Sequence, residues 1–272
     1  MRLYSETFGH QLDNTQPVIV FLHGLLGSGR DWRNITSALA YRYTCITIDL
    51  PGHGLSASVT MPQASSDIGF EQSYHAILDT LAHRGIKQFI LVGYSLGARL
   101  AMYLASQLTN DKPDDSAFSK SELKGLFLEG GHFGLPASER EARFVNDQAW
   151  AERFSSEPLS IVLNDWYQQA VFSSLDHDQR QSLVLKRSDN LGAGVANMLL
   201  ATSLSKQPLL LTSLQTLTLP VRYVCGEHDT KFRQIAAQSE LSVEVIPDAG
   251  HNIHVEQPQA FISALSAFIQ KC

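Results

Sequence analysis

With 272 residues, 44% of them hydrophobic and 18% charged, the chain can bury a sizeable core, and its balance excludes the disordered and fibrous classes. Its 21 basic and 27 acidic residues leave a formal charge of −6, so a general affinity for nucleic acid is not expected and any basic site has to be local. Cys45, Cys225 and Cys272 show no CxxC spacing, which argues against a disulfide framework or a zinc site, and the first two sit in apolar runs like small core residues.

The opening stretch MRLYSETFGHQLDNTQ lacks the apolar run of a signal peptide, and no segment approaches the ~18 apolar residues of a membrane span, so a cytoplasmic protein without a membrane span is expected. Short, nearly continuous apolar runs follow at 17–23 (PVIVFLH), 43–50 (YTCITIDL), 87–93 (KQFILVG) and 123–130 (LKGLFLEG), the pattern of parallel strands covered on both faces. Between them, Phe70, Tyr74, Ile77, Leu78 and Leu81 keep helical spacing before Gly85, and Leu96, Leu100, Tyr103 and Leu104 do so after Ser95. Residues 109–122 read as a polar surface loop. From about 132 to 205 apolar residues recur only at helical spacing, after which strand-like runs return at 219–226 and 241–247 and a last helix is predicted from about 256 to 270.

Strands alternating with helices imply right-handed crossovers and a mostly parallel, doubly wound α/β sheet. The helical stretch interrupts that sheet, so the predicted organisation is a core of 1–131 and 206–272 with an all-helical cap at 132–205. Ligands of open α/β sheets bind at the carboxyl edge, and a cap there would roof the site.

Gly93-Tyr94-Ser95-Leu96-Gly97 is a G-x-S-x-G between a predicted strand and a predicted helix, the context in which the serine is pushed into the open as a nucleophile. A serine capping a helix after a glycine turn is the plainer reading of the same five residues. A hydroxyl needs an imidazole, and the imidazole an orienting carboxylate. CGEHD puts Asp229 just past one late strand and PDAGHNIH puts His251 past the next, in the chain order serine, acid, histidine. Asp248 reads as a loop-shaping residue, His254 as a packing residue at a helix start, and His228 as a surface residue. HGLLGS after the first strand turns sharply enough for the N–H of Leu25 to join that of Leu96 towards developing negative charge, and DLPGHGLS at 49–56 reads as architecture. No ligand cluster or phosphate-binding glycine loop appears, so no metal and no cofactor is expected.

Elbow, HG loop, DLPGHG turn and the Ser…Asp…His order resemble the α/β-hydrolase superfamily over the whole chain. GYSLGAR, LEGGHFGL, DWYQQAVFSSL, ATSLSKQP and GHNIHVEQP narrow the resemblance to the 2-succinyl-6-hydroxy-2,4-cyclohexadiene-1-carboxylate synthases of menaquinone biosynthesis, with Ala98 standing where a second glycine is expected. The resemblance implies a lyase that eliminates pyruvate from 2-succinyl-5-enolpyruvyl-6-hydroxy-3-cyclohexene-1-carboxylate, with Ser95 as proton-abstracting base, His251 as relay and Asp229 holding its tautomer. A carboxylesterase or C–C bond hydrolase would use the same three residues, and an idle member of the fold acting as a receptor would need none of them.

The implied substrate is a small molecule with three carboxylates, which planar guanidinium groups bind bidentately. Arg99, four residues after Ser95, Arg143 and Arg187 are the candidates, with Arg140 and Arg153 competing for the place of Arg143. Tyr94, Trp166 and Tyr167 are candidate pocket walls, or alternatively core contacts of their helices. The oligomeric state is left open.

Overall fold

The computed structural model describes residues 1–9, 16–61, 68–110 and 122–272; most of the stretch read as a polar loop lies outside them. In chain order the described elements begin β1 Ser5–Phe8, β2 Val18–Leu22, α1 Arg33–Leu39, β3 Cys45–Ile48, α2 Gly69–His83, β4 Gln88–Tyr94, α3 Leu96–Asn110 and β5 Glu122–Glu129. After β5 come α4 Ala137–Ser156, α5 Leu159–Trp166, α6 His177–Arg187, α7 Gly192–Ala201 and α8 Leu211–Gln215. The chain then returns to strands with β6 Val221–Gly226, α9 Thr230–Ala237, β7 Val243–Ile246, α10 Ile253–Glu256 and α11 Pro258–Ile269.

The strands form one sheet in the order β1-β3-β2-β4-β5-β6-β7, parallel throughout except for β1, which pairs antiparallel with β3. Alternation along the strands builds two apolar layers. Val20, Leu22, Phe89 and Leu91 pack with Ile77, Leu100 and Leu104 of α2 and α3 on one face. Ile19, Phe21, Ile90 and Val92 pack with Ile35, Phe261 and Leu265 of α1 and α11 on the other. Cys45 and Cys225 are buried in these layers, as their sequence context implies. The predicted strands are all present, while β1 escapes the sequence pattern because a four-residue edge strand, SETF, needs one partner and no apolar run. The closing helix expected at about 256–270 is α11, with Pro258 at its first turn, and the short helix α10 precedes it. No described helix is long and apolar enough to cross a membrane.

Between β5 and β6, helices α4 to α7 assemble an apolar cluster of their own from Phe154, Leu163, Phe172, Leu183 and Val195. Leu26, from the turn after β2, is buried in the same cluster, so these helices are seated on the HG loop. The two ends of the segment are tied together by Arg140, which donates to the carbonyls of Leu135 (3.1 Å), Ser205 (3.1 Å) and Gln207 (2.8 Å). Gln207 in turn donates from Nε2 to the His132 carbonyl at 2.6 Å.

The turn after β2 is held from below by the DLPGHG loop. Asp49 accepts the N–H groups of Gly29 (2.6 Å) and Leu55 (2.8 Å). Two buried imidazoles complete the lattice. His23 accepts the Leu50 N–H on Nε2 (2.9 Å) and donates from Nδ1 to the Gly24 carbonyl (2.7 Å). His53 accepts the Leu26 N–H on Nε2 (3.0 Å) and donates from Nδ1 to the Pro51 carbonyl (2.9 Å). Burial holds them neutral, pushing His23 down to about 4 and His53 to about 3.

Two outcomes are expected. Because the folded pKa values lie below the unfolded value of 6.5, the unfolded chain binds protons first; the histidines' contribution is complete above that value and is lost as the pH falls towards 4. Unfolding free energies from urea titrations should therefore drop between about pH 7 and about pH 4.5, by on the order of 3 kcal/mol per histidine at the acid end, and His53→Gln should flatten that slope. Arg140→Ala should cost about 2–4 kcal/mol of stability by removing three charged donors from three carbonyls; a denaturation midpoint equal to that of the wild type would contradict the clamp.

Candidate active site

At the end of β4 the chain turns into α3 within one residue. Ser95 takes φ +49°, a left-handed conformation that a residue with a side chain adopts only when its surroundings enforce it. The enforcement is visible at the two motif glycines: a Cβ on Gly93 would lie 2.5 Å from the Gly97 carbonyl oxygen, and one on Gly97 would lie 2.2 Å from that of Leu22. The start of α3 is thereby pressed onto the end of β2. Ser95 donates its N–H to the Glu129 carbonyl at 2.8 Å, and Arg99 donates its N–H to the Ser95 carbonyl at 3.0 Å. The N–H groups of Leu25 and Leu96 meet no acceptor among the described residues.

Asp229 follows β6 and His251 follows β7. Their side chains meet at 2.7 Å, Nδ1 to Oδ2, and both are buried. With Nδ1 donating to the carboxylate, Nε2 is the ring nitrogen left to exchange a proton. Glu256 fixes the histidine loop by accepting the N–H groups of Gly250 (2.8 Å) and Asn252 (3.0 Å), and the Tyr94 hydroxyl donates to Asn252 Oδ1. The Tyr94 ring stands 5.3 Å from that of His251, and a Cβ on Gly130 would lie 2.7 Å from His251 Cε1. Ser95, anchored to Glu129, and His251, resting on Gly130, thus approach one step of backbone. Ser95 Oγ makes no hydrogen bond among the described residues; such contacts commonly tighten only around a bound substrate.

The competing groups are placed elsewhere. Asp248 is exposed at φ +53° with its N–H bonded to Glu227 Oε2 at 3.1 Å, and His228 is exposed beside it. His254 is buried, 2.8 Å from Glu129 Oε2 and stacked 4.3 Å from the Trp32 ring. Glu129 had no signal in the sequence beyond being a lone acid at the end of the apolar run LFLEG.

The three candidate arginines fall into two groups. Arg99, half-buried, donates to the Thr202 carbonyl at 2.8 Å and lies 5.8 Å from the Phe70 ring, with no carboxylate in an ion pair among the described residues. Burial, then the charge of Arg143, lowers its pKa to about 9. Arg143 pairs with buried Asp147 at 2.8 Å, and Asp147 accepts from Ser203 Oγ at 2.7 Å, so Thr202 and Ser203 hold the two guanidinium groups side by side. Arg187 stands with Tyr167 and pairs with Asp31 at 2.7 Å. Burial opposes its charge, but Asp31 and Tyr167 more than restore it and raise its pKa, while Asp31, despite its own burial, is held below the ordinary carboxylate range by Arg187.

Among the rivals, Arg140 is spent on backbone carbonyls and Arg153 on Glu157 (2.9 Å) and Asp165 (2.6 Å). Trp166 packs within the helical cluster, 5.0 Å from Trp150 and 5.5 Å from Phe154, and Tyr167 is buried 4.9 Å from Phe172. Phe172 reaches His251 at 6.2 Å, and Phe232 lies 4.7 Å from it; neither was singled out by the sequence, since lone aromatics in helical patterns read as core.

Residues 19–264 match the model of the alpha/beta hydrolase family. Proteins from Yersinia enterocolitica and Yersinia pseudotuberculosis named 2-succinyl-6-hydroxy-2,4-cyclohexadiene-1-carboxylate synthase are each 46% identical, over 95% and 94% of this chain and 88% of their own length. The structure of MenH from S. aureus superposes with a TM-score of 0.81 at 26% identity, covering 98% of this chain and 97% of that one. A malate-bound thermophilic esterase from Thermogutta terrifontis, 21% identical with a TM-score of 0.77 over 99% of this chain and 93% of its own, shares the fold. The sequence resemblance and the architecture agree: the chain belongs to the alpha/beta hydrolase family and, within it, to the 2-succinyl-6-hydroxy-2,4-cyclohexadiene-1-carboxylate synthases.

Proposed function

We propose that the protein is a lyase that releases pyruvate from 2-succinyl-5-enolpyruvyl-6-hydroxy-3-cyclohexene-1-carboxylate, leaving 2-succinyl-6-hydroxy-2,4-cyclohexadiene-1-carboxylate, the product that its relatives' name carries. The observation that carries the reading is Arg99: a desolvated guanidinium one turn behind Ser95, paired with carbonyl oxygen and no carboxylate among the described residues, is a place prepared for an anion.

In this reading Ser95, with its proton passed to His251 Nε2, takes the proton on the ring carbon next to the succinyl ketone. Asp229 holds His251 in the tautomer that leaves Nε2 available and stabilises the imidazolium as it forms. The N–H groups of Leu25 and Leu96 receive the enolate oxygen. The enolate's electron pair then moves through the ring double bond to give the 2,4-diene and breaks the bond to the enolpyruvyl oxygen. The departing enolpyruvate takes up the proton and becomes pyruvate; no water is consumed and no acyl-enzyme forms. Arg99, Arg143 and Arg187 hold the carboxylates, Tyr94, Trp166 and Tyr167 wall the ring, and residues 132–205 act as a cap over a core of 1–131 and 206–272.

Ser95→Ala should lower pyruvate release from the enolpyruvyl substrate by about 10³-fold or more. Wild-type release at an unchanged rate in that variant would overturn the mechanism, and rapid hydrolysis of p-nitrophenyl esters without any pyruvate would favour the esterase reading. Arg99→Ala should lower kcat/KM for the trianion by roughly 10²-fold and that for an uncharged ester far less, with Arg99→Lys rescuing only part because a point charge lacks the fork. Equal losses on both substrates would reject the clamp.

A further inference from the structure

The sequence pattern passes over Lys231, the second residue of α9 and two positions beyond Asp229. Its Nζ stands 5.7 Å from the Phe232 ring, which packs 4.7 Å from His251 and 6.4 Å from His132. Phe232 is fixed in turn by its N–H bond to Asp229 Oδ1 at 3.3 Å, so the lysine rides on the residue that supports the catalytic carboxylate. His132 opens the chain's path from β5 to α4, and its carbonyl is bonded to Gln207, whose side-chain oxygen lies 3.5 Å from Arg99 Nη1.

The surrounding electrostatics converge on the same spot. After burial, Lys231, Arg99 and Arg143 are the charges that hold the His132 imidazole down at about 4. The Lys231 ammonium is itself lowered by desolvation and then by Arg143, with Asp229 and Glu139 acting in the opposite sense. Arg143 and Arg187 have carboxylate partners, Asp147 and Asp31; Lys231 forms no ion pair among the described residues, and the residue is exposed.

Resting on the proposed lyase reading, we infer that Lys231 is a specificity-determining contact for a carboxylate of the polyanionic substrate, received at the Phe232 side of the His251–Asp229 pair. The protein as a whole carries −6, so a trianion approaches against the overall field and depends on a local positive mouth. A compact point charge on a flexible stem suits that place, where capture and release count for more than bidentate geometry.

The test is steady-state pyruvate release by wild type and by Lys231→Gln, Lys231→Arg and Lys231→Glu, each at low and at physiological salt, with Lys271→Gln as a charge-matched control far along α11's exit. Lys231→Gln should lower kcat/KM for the trianion about tenfold, mostly through KM, with a loss that shrinks as salt is raised. Lys231→Arg should recover most of it, Lys231→Glu should lose more, and the fall on an uncharged p-nitrophenyl ester should be smaller. A Lys231→Gln loss no greater than that of Lys271→Gln, a salt-independent loss, or an equal loss on the ester would each overturn the assignment while wild-type pyruvate release leaves the lyase reading standing. Absence of pyruvate release by the wild type would overturn both.

Discussion

The elbow at Ser95 is the constraint from which the rest of the site follows. A residue with a side chain is held at φ +49° because α3 starts against the backbone of β2, an approach that leaves no room for a Cβ at Gly93 or Gly97. That one closeness fixes three things together. It exposes the serine hydroxyl, it leaves the first N–H of α3 without an intrahelical acceptor, and it sets the helix axis so that Arg99 lies a turn behind the serine. The HG loop is built to meet it. Its Leu26 N–H is taken by His53, so that the neighbouring Leu25 N–H is the donor left over.

Charge in the site is divided between groups that satisfy one another and groups that wait. Asp31 answers Arg187 and Asp147 answers Arg143, at 2.7 and 2.8 Å, so the corresponding burial is compensated before any ligand arrives, and the His254 ring is hydrogen-bonded to Glu129 at 2.8 Å. Arg99 is met by the Thr202 carbonyl, the Gln207 side-chain oxygen and the Phe70 ring but by no ion-paired carboxylate among the described residues, and burial together with Arg143 lowers its pKa. In the proposed reading a substrate carboxylate gains most there and least where an internal carboxylate already competes. The helices between β5 and β6 contribute both kinds: α4 brings Arg143 together with Asp147, and α6 brings Arg187 onto Asp31 of the core.

What was legible in the sequence was what strong local patterns encode. The apolar runs gave β2 to β7, and the glycine, serine, aspartate and histidine loops gave residues whose places at strand ends follow from topology. The edge strand β1 was invisible because its pairing depends on a neighbour. Pairings across distance were equally silent: nothing near Asp31 announces an arginine 156 residues away as its partner. Phe232 went unnoticed for a related reason, since it stands beside His251 only because the loops after β6 and β7 meet.

The same hydroxyl, imidazole and carboxylate can attack a carbonyl or remove a proton, and the esterase of the same fold shows that the scaffold does not choose. Choice has to come from which atom of the substrate is brought to Ser95 Oγ. Rigid cations at separate points around the serine would orient a polyanion in three dimensions, whereas an uncharged ester would be held by its acyl group alone. In the proposed reading, the two guanidinium groups joined through Thr202 and Ser203 and a third, Arg187 beside Tyr167, turn a trianion into one presentation at the serine. In the proposed reading that presentation offers a C–H bond where a hydrolase would offer a carbonyl carbon, and the oxyanion donors, indifferent to the origin of the negative oxygen, stabilise an enolate.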